Sequence, residues 1–89
     1  MNPRVTDVVP RTDFRLELTF SNGEVRVFDC APLLDLGVFR ALRDERQFRR
    51  VRVFNGTVVW PDEQDICPDT LYEDSVPVQP VGSDLTIGK

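Results

Sequence analysis

Apolar and polar residues alternate along residues 14–29, FRLELTFSNGEVRVFD, and the alternation breaks only around Asn22-Gly23. Period two marks a half-buried strand, and Asn-Gly between two such runs is a strong hairpin signal. A two-residue type I′ turn at Asn22 and Gly23 sets Phe20 opposite Val25 and Leu18 opposite Val27. Phe14, Leu16, Leu18, Phe20, Val25 and Val27 then share the core face, and Arg15, Glu17, Thr19, Glu24, Arg26 and Phe28 share the other. Burying each apolar side chain gains roughly 1.5–3 kcal/mol, against at most ~1 kcal/mol for an exposed cross-strand pair, so packing decides this sheet. A lone hairpin is marginal. Residues 4–9, RVTDVV, supply a third strand that Pro10 closes, with residues 11–13 as the turn.

Residues 51–60, VRVFNGTVVW, repeat the pattern. Asn55-Gly56 pairs Val53 with Val58 and Val51 with Trp60 on one face, and leaves Arg52, Phe54, Thr57 and Val59 on the other. The flanks of the two Asn-Gly turns do not match, so this is recurrence of a common turn and not duplication. Between the hairpins, Pro32 in a first turn and Gly37 after Leu33, Leu34 and Leu36 predict one short helical turn. Val38, Phe39, Leu42 and Phe48 follow at roughly helical spacing as a cover for the sheet, and Asp44 is placed to cap a last turn that tucks Phe48 inward. Residues 61–69 form a polar connection holding Ile66. Pro68-Asp69 opens a helical turn through Glu73, pinned by Leu71 and Tyr72. From Val76 onward, prolines and glycines without periodicity predict a flexible tail. The expectation is an α+β domain over residues 1–75, a three-stranded antiparallel meander plus a second NG hairpin with short covering helices, followed by a tail over 76–89.

Composition then narrows the chemistry. With 89 residues the chain can build one modest core. Histidine is absent, which removes Ser-His and Cys-His catalysis and His-containing zinc sites. Lysine occurs only as Lys89, so Schiff-base and P-loop lysine chemistry is unsupported. The two cysteines, Cys30 and Cys67, form no CxxC pair and read as buried or half-buried thiols. A net charge of -4 argues against indiscriminate binding to nucleic acid or anionic membrane. The first residues lack the apolar stretch of a secretory leader and no run reaches membrane-spanning length, so a soluble, cytoplasmic chain with no membrane contact is expected.

Taken together, Leu18 to Glu24 (LTFSNGE), Phe28-Asp29, Pro32-Leu33-Leu34, Gly37-Val38-Phe39, Leu42, Phe48, Trp60-Pro61, Asp65-Ile66, Pro68-Asp69 and Leu71-Tyr72 resemble domain-of-unknown-function family 2442. The resemblance implies a small bacterial-type α+β domain, found alone or fused ahead of a helix-turn-helix domain. Members are often encoded beside another small protein in an arrangement like that of a toxin and antitoxin, which implies a partner-binding role. It brings no catalytic residues. The family usually carries glycine after Trp-Pro-x where this chain has Glu63, so the turn before Asp65 is expected to be built differently.

Arg40, Arg43, Arg46, Arg49, Arg50 and Arg52 crowd one segment and are the first candidates for a contact surface, since guanidinium pairs bidentately with carboxylate and phosphate. The plainer reading is a solvated face whose heads pair with the acidic C-terminal half. Phe28 and Phe54, with Val59, stand among polar neighbours opposite the presumed core and join the candidate partner-binding residues. Asp62, Glu63, Asp65, Asp69, Glu73 and Asp74 could in principle meet a hard cation, but their spacing is not that of an EF-hand loop. Helix capping by Asp69 and loop closure by Asp65 explain them better. Trp60, on the core side of its strand, reads as a core residue. The chain is therefore expected to be a non-enzymatic protein-interaction module, an antitoxin-like member of a two-protein system, with no cofactor, metal or catalytic residue. The alternative is a nucleic-acid-binding regulator using the same arginines. A carboxylate enzyme is the weakest reading, and homodimerisation at an uncovered sheet edge is compatible with all of these.

Overall fold

A computed structural model describes residues 2–78 of the protein. Strands β1 (Val5–Arg11), β2 (Arg15–Phe20) and β3 (Val25–Asp29) form the antiparallel meander expected from the sequence. Sheet order is β1-β2-β3-β6, where β6 is Val76–Pro77. A separate two-stranded sheet holds β4 (Arg52–Phe54) and β5 (Thr57–Val59). Two 3-10 helices, Ala31–Asp35 and Gly37–Arg43, lead into the single turn α1 (Glu45–Phe48), and α2 (Pro68–Glu73) precedes β6. The architecture is α+β.

The first hairpin differs from expectation by one residue. Leu16 faces Phe28, Leu18 faces Arg26 and Thr19 faces Val25. The loop holds three residues: Phe20 N–H donates to the Glu24 carbonyl at 2.9 Å, and Gly23 N–H donates back to the Phe20 carbonyl at 2.9 Å, with Gly23 at φ +91°. This is a turn followed by a left-handed bulge residue, the common three-residue alternative to the tight Asn-Gly turn. The Asn22 carboxamide holds it, accepting from Glu24 N–H at 3.0 Å and donating to Glu24 Oε1 at 2.7 Å. A one-residue slip inverts every side chain of the strand. Phe28 turns inward and is 4% exposed, while Val25 and Val27 move to the outer face. Phe28 is thus core, not partner surface.

The same inversion brings Glu24 and Arg26 to the side covered by α2. The Arg26 guanidinium lies 4.4 Å from the Tyr72 ring centroid, donates to Ser75 Oγ and to the Ser75 carbonyl at 2.7 Å each, and pairs with Glu24 at 3.1 Å. Tyr72 donates its hydroxyl to Glu24. Cation, ring and carboxylate are each satisfied, which is what allows them at the margin of a core. This cluster fixes Ser75, the residue before β6.

Val76 and Pro77, assigned to the tail by sequence, pair with Val27 and Arg26 as the fourth strand. Residues 79–89 of that expected tail lie outside the described residues. Val78 N–H donates to the Val25 carbonyl at 3.0 Å, so the intervening Pro77 directs its backbone away from β3. Proline has no N–H to offer there, which blunts this edge against strand addition. Pro10 likewise lies inside β1, an edge strand of the sheet, instead of ending it.

Leu16, Leu18, Phe20, Phe28, Leu42, Phe48, Val58, Trp60 and Leu71 are the main members of the buried cluster. Asp44 caps α1 as expected, accepting from Arg46 N–H at 3.0 Å, and Phe48 goes inward beneath Trp60. Trp60 is buried and donates its indole N–H to the Phe48 carbonyl at 2.8 Å. Phe14, at φ +60° beside Asp13 at φ +60°, packs edge-on against Phe48 with centroids 5.3 Å apart. Of the expected helical cover, Leu42 and Phe48 are buried but Val38 is 68% exposed. Segment 37–43 is a 3-10 helix, whose three-residue repeat cannot keep positions spaced for an α-helix on one side.

Phe28→Ala is expected to cost about 3–5 kcal/mol in urea denaturation, whereas Val38→Ala, on an exposed side chain, stays within about 0.5 kcal/mol. Equal costs would contradict the register. Glu24 is held below its ordinary value of 4.5, chiefly by the Tyr72 hydroxyl, then by the Asn22 carboxamide and Arg26. A carboxylate depressed in the folded state contributes stability that is present above its unfolded value and lost as pH falls through its folded value. Stability should therefore decline below the ordinary carboxylate range, with a shallower acid limb in Glu24→Gln and in Tyr72→Phe. An unchanged acid limb in Tyr72→Phe would show that the phenol is not the principal cause.

Candidate functional site

The second hairpin has the register its sequence predicts. Phe54 pairs with Thr57, Val53 with Val58 and Arg52 with Val59, around Asn55 at φ +52° and Gly56 at φ +79°. Both turn residues are left-handed, as a type I′ turn requires. This turn docks on the first sheet: Val5 N–H donates to the Gly56 carbonyl at 2.9 Å and Arg4 Nη1 to the Asn55 carbonyl at 3.1 Å. A Cβ at position 56 would sit 2.7 Å from Arg4 Cδ, so glycine also serves the close approach.

Beyond β5 the chain turns back on itself. Trp60 N–H donates to the Gln64 carbonyl at 3.0 Å, Glu63 N–H donates to the Trp60 carbonyl at 2.9 Å, and Val59 bridges Asp65. These are the bonds of the residue 20–24 loop made again, with Glu63 at φ +74° in the place of Gly23. The Glu63 turn therefore keeps the left-handed form that a glycine would take, contrary to the expectation of a different construction. The buried Thr57 hydroxyl donates to the Ile66 carbonyl and extends the pairing. Gln64 is buried and donates its carboxamide N–H to the Val38 carbonyl at 2.9 Å, while its Oε1 has no partner among the described residues.

A groove of about 460 Å³ lies on the face these turns create. Arg52, Phe54 and Val59 line it from the strands, Pro61, Glu63 and Asp65 from the return turn, and Trp60 from its inner end. Arg52, Val59 and Asp65 are successive cross-strand partners, so a cation, an aliphatic side chain and an anion stand in one row. Phe54 is two residues along β4 on the same face and is 55% exposed. Among the described residues, Arg52, Glu63 and Asp65 make no ion pair.

The other sequence candidates are not gathered there. Arg43 pairs with Asp35 and donates Nε–H to the Leu34 carbonyl at 3.1 Å. Arg49 pairs with Glu45 at 3.3 Å, and Arg46, its side chain 93% exposed, approaches Asp44 at 3.8 Å. Their partners are carboxylates of the same segment, not of the C-terminal half. Arg40 and Arg50 are exposed without an ion pair among the described residues. Of the named partner-binding residues, only Arg52 and Phe54 share the groove.

The acidic residues divide as well. Glu63 and Asp65 line the groove, Asp62 accepts from Gln47 at 3.3 Å, and Asp69 and Glu73 accept from Asn2 at 3.4 and 3.0 Å. Asp69 lies in the first turn of α2 but does not cap it; Cys67 holds the cap position without a side-chain bond. Among the described residues no three His, Cys, Asp or Glu side chains converge as metal ligands. Cys30 is buried, and that burial, with the Asp29 carboxylate beside it, pushes its thiol up to about 12, which holds it protonated. Cys67 is exposed, contrary to the buried or half-buried reading.

Sequence reasoning placed Arg52, Phe54 and Val59 on one face. It missed Glu63 and Asp65 as the opposite wall, because the return turn hinges on a left-handed Glu63 that carries no turn signal of its own. A family model described as "Protein of unknown function (DUF2442)" matches residues 5–77. Neither the curated proteins nor the solved structures offer a significant match.

A left-handed non-glycine residue costs roughly 1–2 kcal/mol, partly offset by the extra freedom glycine has when unfolded. Glu63→Gly should therefore raise stability by about 0.5–1 kcal/mol, read as a higher urea midpoint at constant slope. Glu63→Ala, which removes the charge but keeps the strained backbone, should not reproduce the gain.

Proposed function

This chain belongs to the family of proteins of unknown function DUF2442, and we propose that it is a non-enzymatic protein-interaction domain whose contact surface is the groove on β4 and β5. The observation that carries this reading is the row Arg52, Val59, Asp65 beside the exposed Phe54: unpaired charges of both signs flanking apolar side chains. An aromatic anchor within a rim of charge is the composition of interface hot spots. The chemistry available to a catalyst is thin, with no histidine in the chain and a buried Cys30 that stays protonated. An antitoxin-like place in a two-protein system is the finer form of the proposal, and its support is the family resemblance. A cytoplasmic location goes with it; among the described residues no helix is long and apolar enough to cross a membrane.

One observation favours a second reading. Arg40, Arg50 and Arg52 lack ion pairs among the described residues and could meet phosphates. Against it, Arg43, Arg46 and Arg49 are matched by nearby carboxylates and the chain is net acidic. Phosphate contact would make binding fall steeply with salt.

Tagged protein recovered from its native lysate with and without nuclease, alongside Phe54→Ser and Arg50→Glu, separates the two. A nuclease-resistant, stoichiometric protein that Phe54→Ser reduces at least tenfold and Arg50→Glu leaves in place is the expected result. Recovery of nucleic acid that Arg50→Glu abolishes would replace the interaction reading with the second one.

A further inference from the structure

We propose that the face carrying the groove pairs with the same face of a second copy of this chain, about a two-fold axis that lies over β5 and parallel to it. The proposal rests on the groove being an interaction surface and names its partner. Arg52 and Asp65 flank Val59 on neighbouring strands, two inter-strand steps or about 10 Å apart. They do not pair with each other, and neither has an ion pair elsewhere among the described residues. Five other arginines do find carboxylates: Arg11, Arg26, Arg43, Arg46 and Arg49.

A row ordered cation, aliphatic, anion is complementary to its own reverse. Rotating a second copy by half a turn about the Val59 strand sets each Arg52 over the other copy's Asp65 and each Val59 over the other Val59. An isologous contact demands such a match, in which residue i meets j and j meets i. A partner that was simply acidic or simply basic would meet a like charge at one end of the row. Phe54, 55% exposed on the same face, is covered by the same rotation. The route through a sheet edge is closed at β6, where Pro77 presents no outward N–H.

The test is the solution mass of the purified, nuclease-treated full chain by light scattering across a concentration series. The expected species has twice the chain mass of 10.2 kDa. Arg52→Glu alone and Asp65→Arg alone should each be monomeric yet folded, with a cooperative melt whose midpoint no longer rises with protein concentration as the wild type's does. Mixed in equal amounts they should dimerise again. In the mixed pair the carboxylate introduced at position 52 of one copy meets the guanidinium introduced at position 65 of the other, and the unaltered Asp65 and Arg52 meet at the opposite end of the row. A monomer at every concentration, a dimer indifferent to both substitutions, or folded variants that fail to pair on mixing would each overturn the proposal. Should the chain stay monomeric yet still lose its lysate partner on Phe54→Ser, self-pairing fails and the interaction reading stands. A dimer with the expected charge dependence alongside recovered nucleic acid would mean the reverse for the wider assignment to protein partners alone, with self-pairing upheld.

Discussion

The three-residue loop at the tip of the first hairpin determines which side of β3 faces the core, and most of the remaining structure depends on that choice. With Gly23 in the left-handed region, Phe28 stands opposite Leu16 and goes inward. Arg26 comes to the same side, and only because Tyr72 and Ser75 lie there can a guanidinium be accommodated. Those contacts fix the end of α2 and deliver the chain to β6. Two valines on β3 lose part of their burial in exchange for one phenylalanine and a fully bonded ion cluster. Area alone makes this nearly even, since an aromatic ring and two small aliphatic side chains bury comparable surface. The polar network on Arg26 and the Asn22 bonds within the loop decide between the registers.

A second constraint ties the small sheet to the irregular middle of the chain. Segment 31–50 has little regular hydrogen bonding of its own beyond 3-10 turns and the single turn α1, and short turns of that kind are not stable in isolation. Trp60 supplies what they lack. Its ring meets Phe39 edge-on at 6.4 Å and Phe48 at 6.1 Å, and its indole N–H bonds the Phe48 carbonyl at 2.8 Å. Packing and a directional bond thus come from one side chain, which ties this segment to the small sheet.

The sequence made the element order legible as far as α2, along with the second hairpin's register, the Asp44 cap and the burial of Phe48, Trp60 and Leu71, because each has a local signature: an Asn-Gly turn with matched flanks, an acidic residue before a turn, a large apolar residue on the inward phase. What it hid was non-local. Asn22-Gly23 fits two loop lengths, and Arg26 could be recognised as an inward residue only with Tyr72 and Ser75 in view. Val76 and Pro77 look like tail until Val27 and Arg26 are found beside them. Half of the site, Arg52 and Phe54, could be read from period two. The other half could not: Pro61-Asp62 announces a turn, but Glu63 in the left-handed place of a glycine hides the form that returns Asp65 to Val59.

That turn also bears on why the groove has the chemistry it has. The protein uses one loop form twice, with glycine at the left-handed position in the first and glutamate in the second. Where only shape is at stake, glycine is the less strained choice. Retaining a carboxylate at position 63 places a further negative charge on the wall that already holds Asp65, facing the strand that holds Arg52. Strain at a surface turn has no value to packing, because Glu63 is exposed and contributes nothing to the core. Its effect is electrostatic: it sharpens the separation of charge across the groove, and such separation acts only on something that enters the groove.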